Sequence, residues 1–263
     1  MGSRLGQHFL RDEKILEQIA DTAEIAKDDL VIEIGAGKGQ LTKHLVQRAK
    51  KVLAVELDER LVKYLLSLKY DNLSIIACDI LKLDLPALIK ENGFEKAVIT
   101  GNIPYYLTSP LVVKLVEGRK NFPLIVLLMQ KEVAERLSAK PGTKDYGSLS
   151  IFTQFYTDVE TAGFVGKNKF LPPPKVDSAI VKLKTREKPL ISMNDEDTFL
   201  SFVRKSFQFR RKKAVKVLAL NLNREKEEIE KVFSLLGFNE NLRAEDLPVY
   251  DFYALYKALV LKI

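Results

Sequence analysis

Val31-Ile32-Glu33-Ile34-Gly35-Ala36-Gly37-Lys38-Gly39 carries a short apolar run into three glycines at alternate positions, and helical spacing of apolar residues resumes over 41–46. That order predicts a strand, a tight turn and a helix. Glycines in such a turn permit positive φ and let backbone N–H groups approach a ligand. The spacing is G-x-G-x-G, which departs from the G-x-G-x-x-G cradle of dinucleotide-binding folds. The alternation extends in both directions. A helix is expected over 12–26, with Asp12 as its cap, before the strand at 30–34. Strands at 52–55, 73–77, 97–100 and 124–129 then alternate with helices at 61–68, 110–117 and 131–138. The pattern predicts an α/β fold, a parallel sheet with helices on both faces. Residues 148–159 and 179–183 read as closing strands able to pair antiparallel at one edge. The polar, Pro-containing stretch 184–197 reads as a linker and the remainder as helix, which gives two expected domains, 1–186 and 187–263.

Composition narrows the function classes. The 263 residues are 46% hydrophobic, enough for one sizeable α/β core and a small extra module. The lone Cys78 cannot form an internal disulfide, and with His8 and His44 it makes no zinc site at a familiar spacing, so no metal is expected. The longest apolar run, 122–129, is too short to span a bilayer and reads as a buried strand. There is no apolar leader core, and Gly6 stands where a myristoylation motif needs Ser or Thr, so a cytoplasmic protein without a membrane partner is expected. The formal net charge of +7 suits a polyanionic partner.

Three consecutive strand ends carry groups that suit adenosine. After the glycine turn, Glu56 closes the second strand, where a carboxylate can accept from both ribose hydroxyls. Asp79 closes the third, in Ala77-Cys78-Asp79-Ile80, and can accept from an adenine amine. The fourth strand runs into Gly101-Asn102-Ile103-Pro104-Tyr105. An exocyclic adenine amine is a poor nucleophile because its lone pair is delocalised into the ring. Two acceptors, the Asn102 side-chain oxygen and the Ile103 carbonyl, can take both amine hydrogens and favour a pyramidal nitrogen aimed at a sulfonium methyl group. Pro104 fixes the turn and Tyr105 offers a ring for stacking. Phe170, before Pro172-Pro173-Pro174, reads as a second ring that sandwiches an extruded base, with core filling as the plain alternative.

Leu5-Gly6-Gln7-His8-Phe9-Leu10, the glycine turn, Val55-Glu56-Leu57-Asp58, Cys78-Asp79, Gly101-Asn102-Ile103-Pro104-Tyr105, Met129-Gln130-Lys131-Glu132-Val133-Ala134 and Phe170-x-Pro172-Pro173-Pro174-Lys175-Val176-Asp177-Ser178-Ala179 occur in this order. Over nearly its whole length the chain resembles the KsgA/Dim family of ribosomal RNA adenine dimethyltransferases. The resemblance implies a Rossmann-like class I methyltransferase sheet with a small all-α C-terminal domain, and S-adenosyl-L-methionine as cofactor. It implies N6,N6-dimethylation of two adjacent adenosines in the 3′-terminal hairpin of 16S rRNA, on a precursor of the 30S subunit. By motif position, His8, Leu10, Gly35, Gly37, Glu56, Asp79 and Asn102 would contact the cofactor, while Asn102, Ile103, Pro104, Tyr105 and Phe170 would hold the adenine. Gln7-His8 departs from the more usual Gln-Asn, and Phe207-Gln208-Phe209-Arg210-Arg211-Lys212 exchanges a Gln and an aromatic relative to the common pattern.

Between Val203 and Lys216 stand seven basic residues, Arg204, Lys205, Arg210, Arg211, Lys212, Lys213 and Lys216, and no acidic one. Solvated faces usually mix signs, so this run reads as a phosphate-contact surface, with Phe207 and Phe209 packing inward or stacking. Amphipathic helices at 225–236 and 246–261 read as a small bundle. A monomer is expected. Two other readings compete: a methyltransferase of the antibiotic-resistance type acting on 23S rRNA, and a non-catalytic RNA-binding assembly factor on the same scaffold. Gln130-Lys131-Glu132-Val133, Tyr146-Gly147-Ser148-Leu149-Ser150 and the triple proline argue against the first; intact Glu56, Asp79 and Asn102 argue against the second. Methylation of a small molecule leaves the basic run unexplained.

Overall fold

The computed structural model describes residues 7–209 and 211–261. The chain divides into two compact units, Met1–Ala134 with Tyr156–Glu187, and Glu135–Phe155 with Lys188–Ile263. Residues 135–155 therefore belong to the second unit although they lie within the sequence span 1–186.

The first unit is a seven-stranded sheet. Its strands in chain order are β2 (Leu30–Ile34), β3 (Lys51–Glu56), β4 (Leu73–Ala77), β5 (Val98–Asn102), β6 (Leu124–Gln130), β7 (Thr157–Val165) and β9 (Ser178–Thr185); two short strands, β1 (Phe9–Leu10) and β8 (Phe170–Leu171), pair separately. The spatial order is β4-β3-β2-β5-β6-β9-β7. Strands β4 to β6 run parallel, and β9 pairs antiparallel with both β6 and β7. All five residues of β2 are buried, as a central strand covered on both faces requires. From β2 the chain steps outward to β3 and β4, then returns to lay β5 on the other side. That reversal opens a crevice at the carboxyl ends of β2 and β5, where open α/β sheets receive ligands.

Helices α1 (Glu13–Thr22), α2 (Thr42–Val46), α3 (Glu59–Leu66), α4 (Leu85–Glu91) and α5 (Thr108–Glu117) connect the strands. Asp12 accepts from Ile15 N–H and caps α1 as expected, but the helix stops at Thr22 because Glu24 turns to φ 47°. Helix α4 lies in a stretch to which the sequence reading assigned no element. Pro86 sits in the first turn, which needs no N–H partner, and Asp84 accepts from Ala87 N–H to cap it.

The expected strand over 148–159 is corrected by the structure. Helix α6 (Lys131–Leu137) is followed by α7 (Ser148–Tyr156), and the strand begins only at Thr157. Aromatic and β-branched residues (Ile151, Phe152, Thr153, Phe155) suggested β structure, but one turn of helix sets Ser150 and Gln154 on the same side. Ser150 Oγ donates to Arg136 O at 2.6 Å, and Gln154 Nε2 donates to Leu137 O and Ala139 O, both at 2.9 Å. These bonds satisfy the open carbonyls at the end of α6, a tertiary gain that outweighs local propensity.

The second unit is helical: α8 (Glu196–Ser206), α9 (Ala214–Leu222), α10 (Lys226–Leu235), α11 (Val249–Tyr256) and a π-helical turn, Lys257–Leu261. Phe199 is its centre, with ring centroids of Phe155, Tyr256 and Tyr253 at 5.7, 5.5 and 5.9 Å. Among the described residues no helix is long and apolar enough to cross a membrane.

Candidate functional site

The cleft at the switch point is lined by the ends of β1 to β5, and each wall has a local cause. At the turn after β2, Gly35, Gly37 and Gly39 take φ of 71°, 60° and 70°. Space adds to the backbone requirement: a Cβ on Gly37 would meet Phe9 Cε1 at 3.3 Å, and one on Gly35 would meet Asn102 O at 3.1 Å. Gly101 pairs with Ile34, and a Cβ there would stand 2.2 Å from Ile34 O, so only glycine lets β5 lie this close to β2.

Glu56 is 6% exposed and its carboxylate is fixed by the backbone. Gly37 N–H donates to Oε2 at 2.9 Å, while Leu57 and Asp58 N–H donate to Oε1 at 2.8 and 2.9 Å. The acid thus ties the glycine turn to the end of β3 and keeps remaining lone pairs for a diol. Asp79 lies on the neighbouring strand end, where Oδ1 accepts from Leu81 N–H at 3.0 Å.

The decisive contact belongs to Asn102. Its Nδ2 donates to the backbone oxygen of His8 at 2.9 Å. A carbonyl can only accept, so this bond sets which way the amide points and commits the amide nitrogen to β1. Among the described residues no donor reaches Oδ1, which leaves it as the amide's acceptor. Ile103 N–H is taken by Leu128 O at 3.0 Å, which fixes the peptide after β5. The His8 ring donates from Nδ1 to Pro172 O at 2.8 Å, and its centroid is 5.5 Å from that of Tyr105. The Tyr105 hydroxyl shares a hydrogen bond of 2.9 Å with Ser178 Oγ. Burial holds its phenol above the ordinary tyrosine range, with Ser178 opposing and Asp177 adding, so the ring is a neutral wall.

His8, Gly35, Gly37, Glu56, Asp79, Asn102, Ile103, Pro104 and Tyr105 are thus brought together around one cleft. Leu10 stands apart from that cleft: it is 2% exposed and lines a smaller cavity on the Gly35–Gly37 turn. Phe170 is not brought to the cleft. It pairs with Leu10 in the β1–β8 ladder and is 4% exposed, within a cluster containing Leu10, Leu16 and Ile180. The core-filling alternative describes its placement, and solvent sees Leu171 instead. Tyr106, absent from the expected site residues, also lines the cleft with a ring 58% exposed, and the doublet Tyr105-Tyr106 is its signal in the sequence. Glu33 is a further omission. It is 1% exposed in the middle of the sheet, with Thr42 Oγ1 donating to it at 2.5 Å, and burial pushes its carboxyl up to about 8.

The basic run occupies the junction between α8 and α9. Arg204, Lys205, Arg211, Lys212, Lys213 and Lys216 are all exposed, and Arg210 lies outside the described residues, as do Leu5 and Gly6 of the first motif. Lys212 lies 4.7 Å from the Phe209 ring centroid, Lys213 donates to Asn241, and Phe207 turns inward against Phe252.

A parallel sheet reversed between β2 and β5, with a glycine turn, two strand-end acids and an Asn-Ile-Pro-Tyr corner at that reversal, defines a class I methyltransferase. Residues 2–260 match the family model described as ribosomal RNA adenine dimethylase. The chain belongs to that family, and it is an RNA methyltransferase. It is 44% identical to the ribosomal RNA small subunit methyltransferase A of Geobacillus thermodenitrificans (97% of this chain, 90% of that one) and 43% identical to the one of Bacillus mycoides (98% and 90%). Among solved structures it resembles a dimethyladenosine transferase from Plasmodium falciparum, with a TM-score of 0.78 at 31% identity over 94% of this chain and 96% of that one. It also resembles the 23S rRNA methyltransferase ErmE, with a TM-score of 0.73 at 29% identity over 95% and 99%.

Proposed function

We propose that this enzyme dimethylates N6 of two adjacent adenosines in the 3′-terminal hairpin of 16S rRNA, on a precursor of the 30S subunit, with S-adenosyl-L-methionine as methyl donor. The observation that carries the reading is the cleft-lining Asn102 amide, whose nitrogen is committed to His8 O and whose oxygen is thereby kept for accepting.

The residues present fit that donor. Gly35 and Gly37 let the turn lie tightly against Asn102 and Phe9 at the edge of the cleft, where Glu56 would offer its carboxylate oxygens to ribose hydroxyls and Asp79 with Ile80 would meet the adenine. The donor supplies a methyl group made electrophilic by its sulfonium. What the chain adds is the activation of the amine. Asn102 Oδ1 and Ile103 O accept its two hydrogens, which draws the lone pair out of ring conjugation and aims it along one line. Asn102 Oδ1 is held through the Nδ2 bond to His8 O, and the Ile103 N–H bond to Leu128 O fixes the peptide just before the Ile103 carbonyl, so little reorganisation is needed as charge develops on nitrogen. The amine proton passes to solvent through the open side of the cleft. The exposed ring of Tyr106 and the tethered ring of Tyr105 provide stacking for an extruded base. Residues 1–186 carry the chemistry, while 187–263 present Arg204, Lys205 and Arg210 to Lys213 to phosphates. The enzyme works as a cytoplasmic monomer.

The test is transfer of labelled methyl groups to 30S particles lacking the modification, beside naked 23S rRNA. The expected outcome is label on adenosines of 16S rRNA as the N6,N6-dimethyl nucleoside. Label confined to 23S rRNA would replace this reading by the resistance type, and cofactor binding without any transfer would favour the assembly factor.

A further inference from the structure

Lys114 is a charged side chain, half-buried in α5, that the chemistry above leaves unused. Its ammonium donates to Leu81 O at 2.9 Å and to Leu83 O at 2.7 Å, reaching back to the loop between β4 and α4. That loop begins with Cys78, Asp79 and Ile80, all in the cleft wall. Leu81 is thereby held through both of its backbone polar groups, in the peptides before and after its Cα: its N–H donates to Asp79 Oδ1 at 3.0 Å, and its oxygen is held by Lys114. Lys82 N–H returns to Asp79 O at 2.9 Å, and Asp84 caps α4 at the far end. Helix α5 begins at Thr108, directly after the cleft residues Tyr105 to Leu107.

We propose that Lys114 is a positioning residue for the adenosine half of the cofactor, acting through the Leu81 and Leu83 carbonyls to hold Asp79 and Ile80 in place. The proposal rests on the reading that the Asp79–Ile80 loop receives the cofactor's adenine. Without the ammonium, two half-buried carbonyls lose their partner and swing toward water. The Leu81 N–H then no longer fixes the Asp79 carboxylate, and the acceptor for the adenine amine loses its preorganisation. The amine-activating pair, Asn102 and Ile103, is anchored elsewhere, on His8 and Leu128, and keeps its geometry. The expected signature is weaker cofactor binding at little changed turnover.

The experiment titrates S-adenosylhomocysteine and 5′-methylthioadenosine into the wild-type enzyme, Lys114→Met and Lys114→Arg, with turnover measured at saturating S-adenosylmethionine. Lys114→Met is expected to bind both compounds at least tenfold more weakly, by a similar factor, with kcat within about twofold of wild type; tenfold corresponds to about 1.4 kcal/mol. Lys114→Arg keeps a donor for each carbonyl and should recover most of the affinity. Lys114→Gln, reaching at most one carbonyl, gives an intermediate deficit and serves if Lys114→Met does not fold. Affinities within twofold of wild type, or a loss for S-adenosylhomocysteine that methylthioadenosine does not share, overturn the proposal while leaving the adenosine pocket intact. Failure of the wild-type enzyme to bind either compound overturns the pocket reading itself.

Discussion

Replacing Asn102 by alanine removes two interactions at once, and the structure says what each contributes. Nδ2 makes a neutral hydrogen bond of 2.9 Å to His8 O, worth about 1 kcal/mol net, which ties β1 over the glycine turn. Losing it should weaken cofactor affinity by no more than about fivefold. Oδ1 is the preorganised acceptor for the reacting amine. Deleting one such group in a protected site costs roughly 10²–10³ in rate, or about 3–4 kcal/mol. Asn102 is only half-buried, so the lower end applies, and kcat should fall about 10²-fold. Asn102→Asp separates the two effects: it keeps acceptor oxygens but cannot donate to His8 O, so affinity should drop as in the alanine variant while turnover falls less. The assay is single-turnover methyl transfer to 30S particles at saturating cofactor, with binding measured separately by calorimetry. An alanine variant that turns over within threefold of wild type would refute the role assigned to the amide.

Burial lifts the Glu33 carboxyl to about 8 from 4.5, with Glu56 adding to the rise and Thr42 opposing it. The folded chain keeps a proton that the unfolded chain releases, so this group's contribution is full below pH 4.5 and is lost as pH climbs toward 8, by on the order of a few kcal/mol. Denaturation of Glu33→Gln at pH 5 and pH 8 should show a flatter dependence than wild type; parallel slopes would count against a buried, protonated Glu33. Phe170→Ala leaves a hole between β1 and β9 and should lower stability by about 3–5 kcal/mol, with RNA affinity of the folded enzyme unchanged. Selective loss of RNA binding at unaltered Tm would restore Phe170 to the substrate side. Replacing Arg211, Lys212 and Lys213 together by alanine should reduce the slope of log affinity for an rRNA hairpin against log salt by about 2 units, at roughly 0.7–0.9 per phosphate contact. An unchanged slope would remove the α8–α9 junction from the RNA surface.

The sheet was legible because strand and helix periods differ and because the glycines fall where the first strand must turn. The pocket acids Glu56 and Asp79 were legible for the same reason, since a strand end is a position that sequence defines. What escaped reading depends on partners distant in the chain. Ile151, Phe152 and Phe155 carry strand propensity, and only the carbonyls of Arg136, Leu137 and Ala139 explain why the segment is helical. Phe170 beside three prolines looks like an exposed loop residue until Leu10 pairs with it. The orientation of the Asn102 amide is set by a backbone oxygen 94 positions earlier, which no local pattern encodes.

The most direct measurement is a structure of the enzyme with S-adenosylhomocysteine and an adenosine-containing rRNA fragment. N6 of the adenosine should lie about 3 Å from both Asn102 Oδ1 and Ile103 O, with the cofactor ribose on Glu56. An amine bound away from Asn102, or a ribose that does not reach Glu56, would contradict the account.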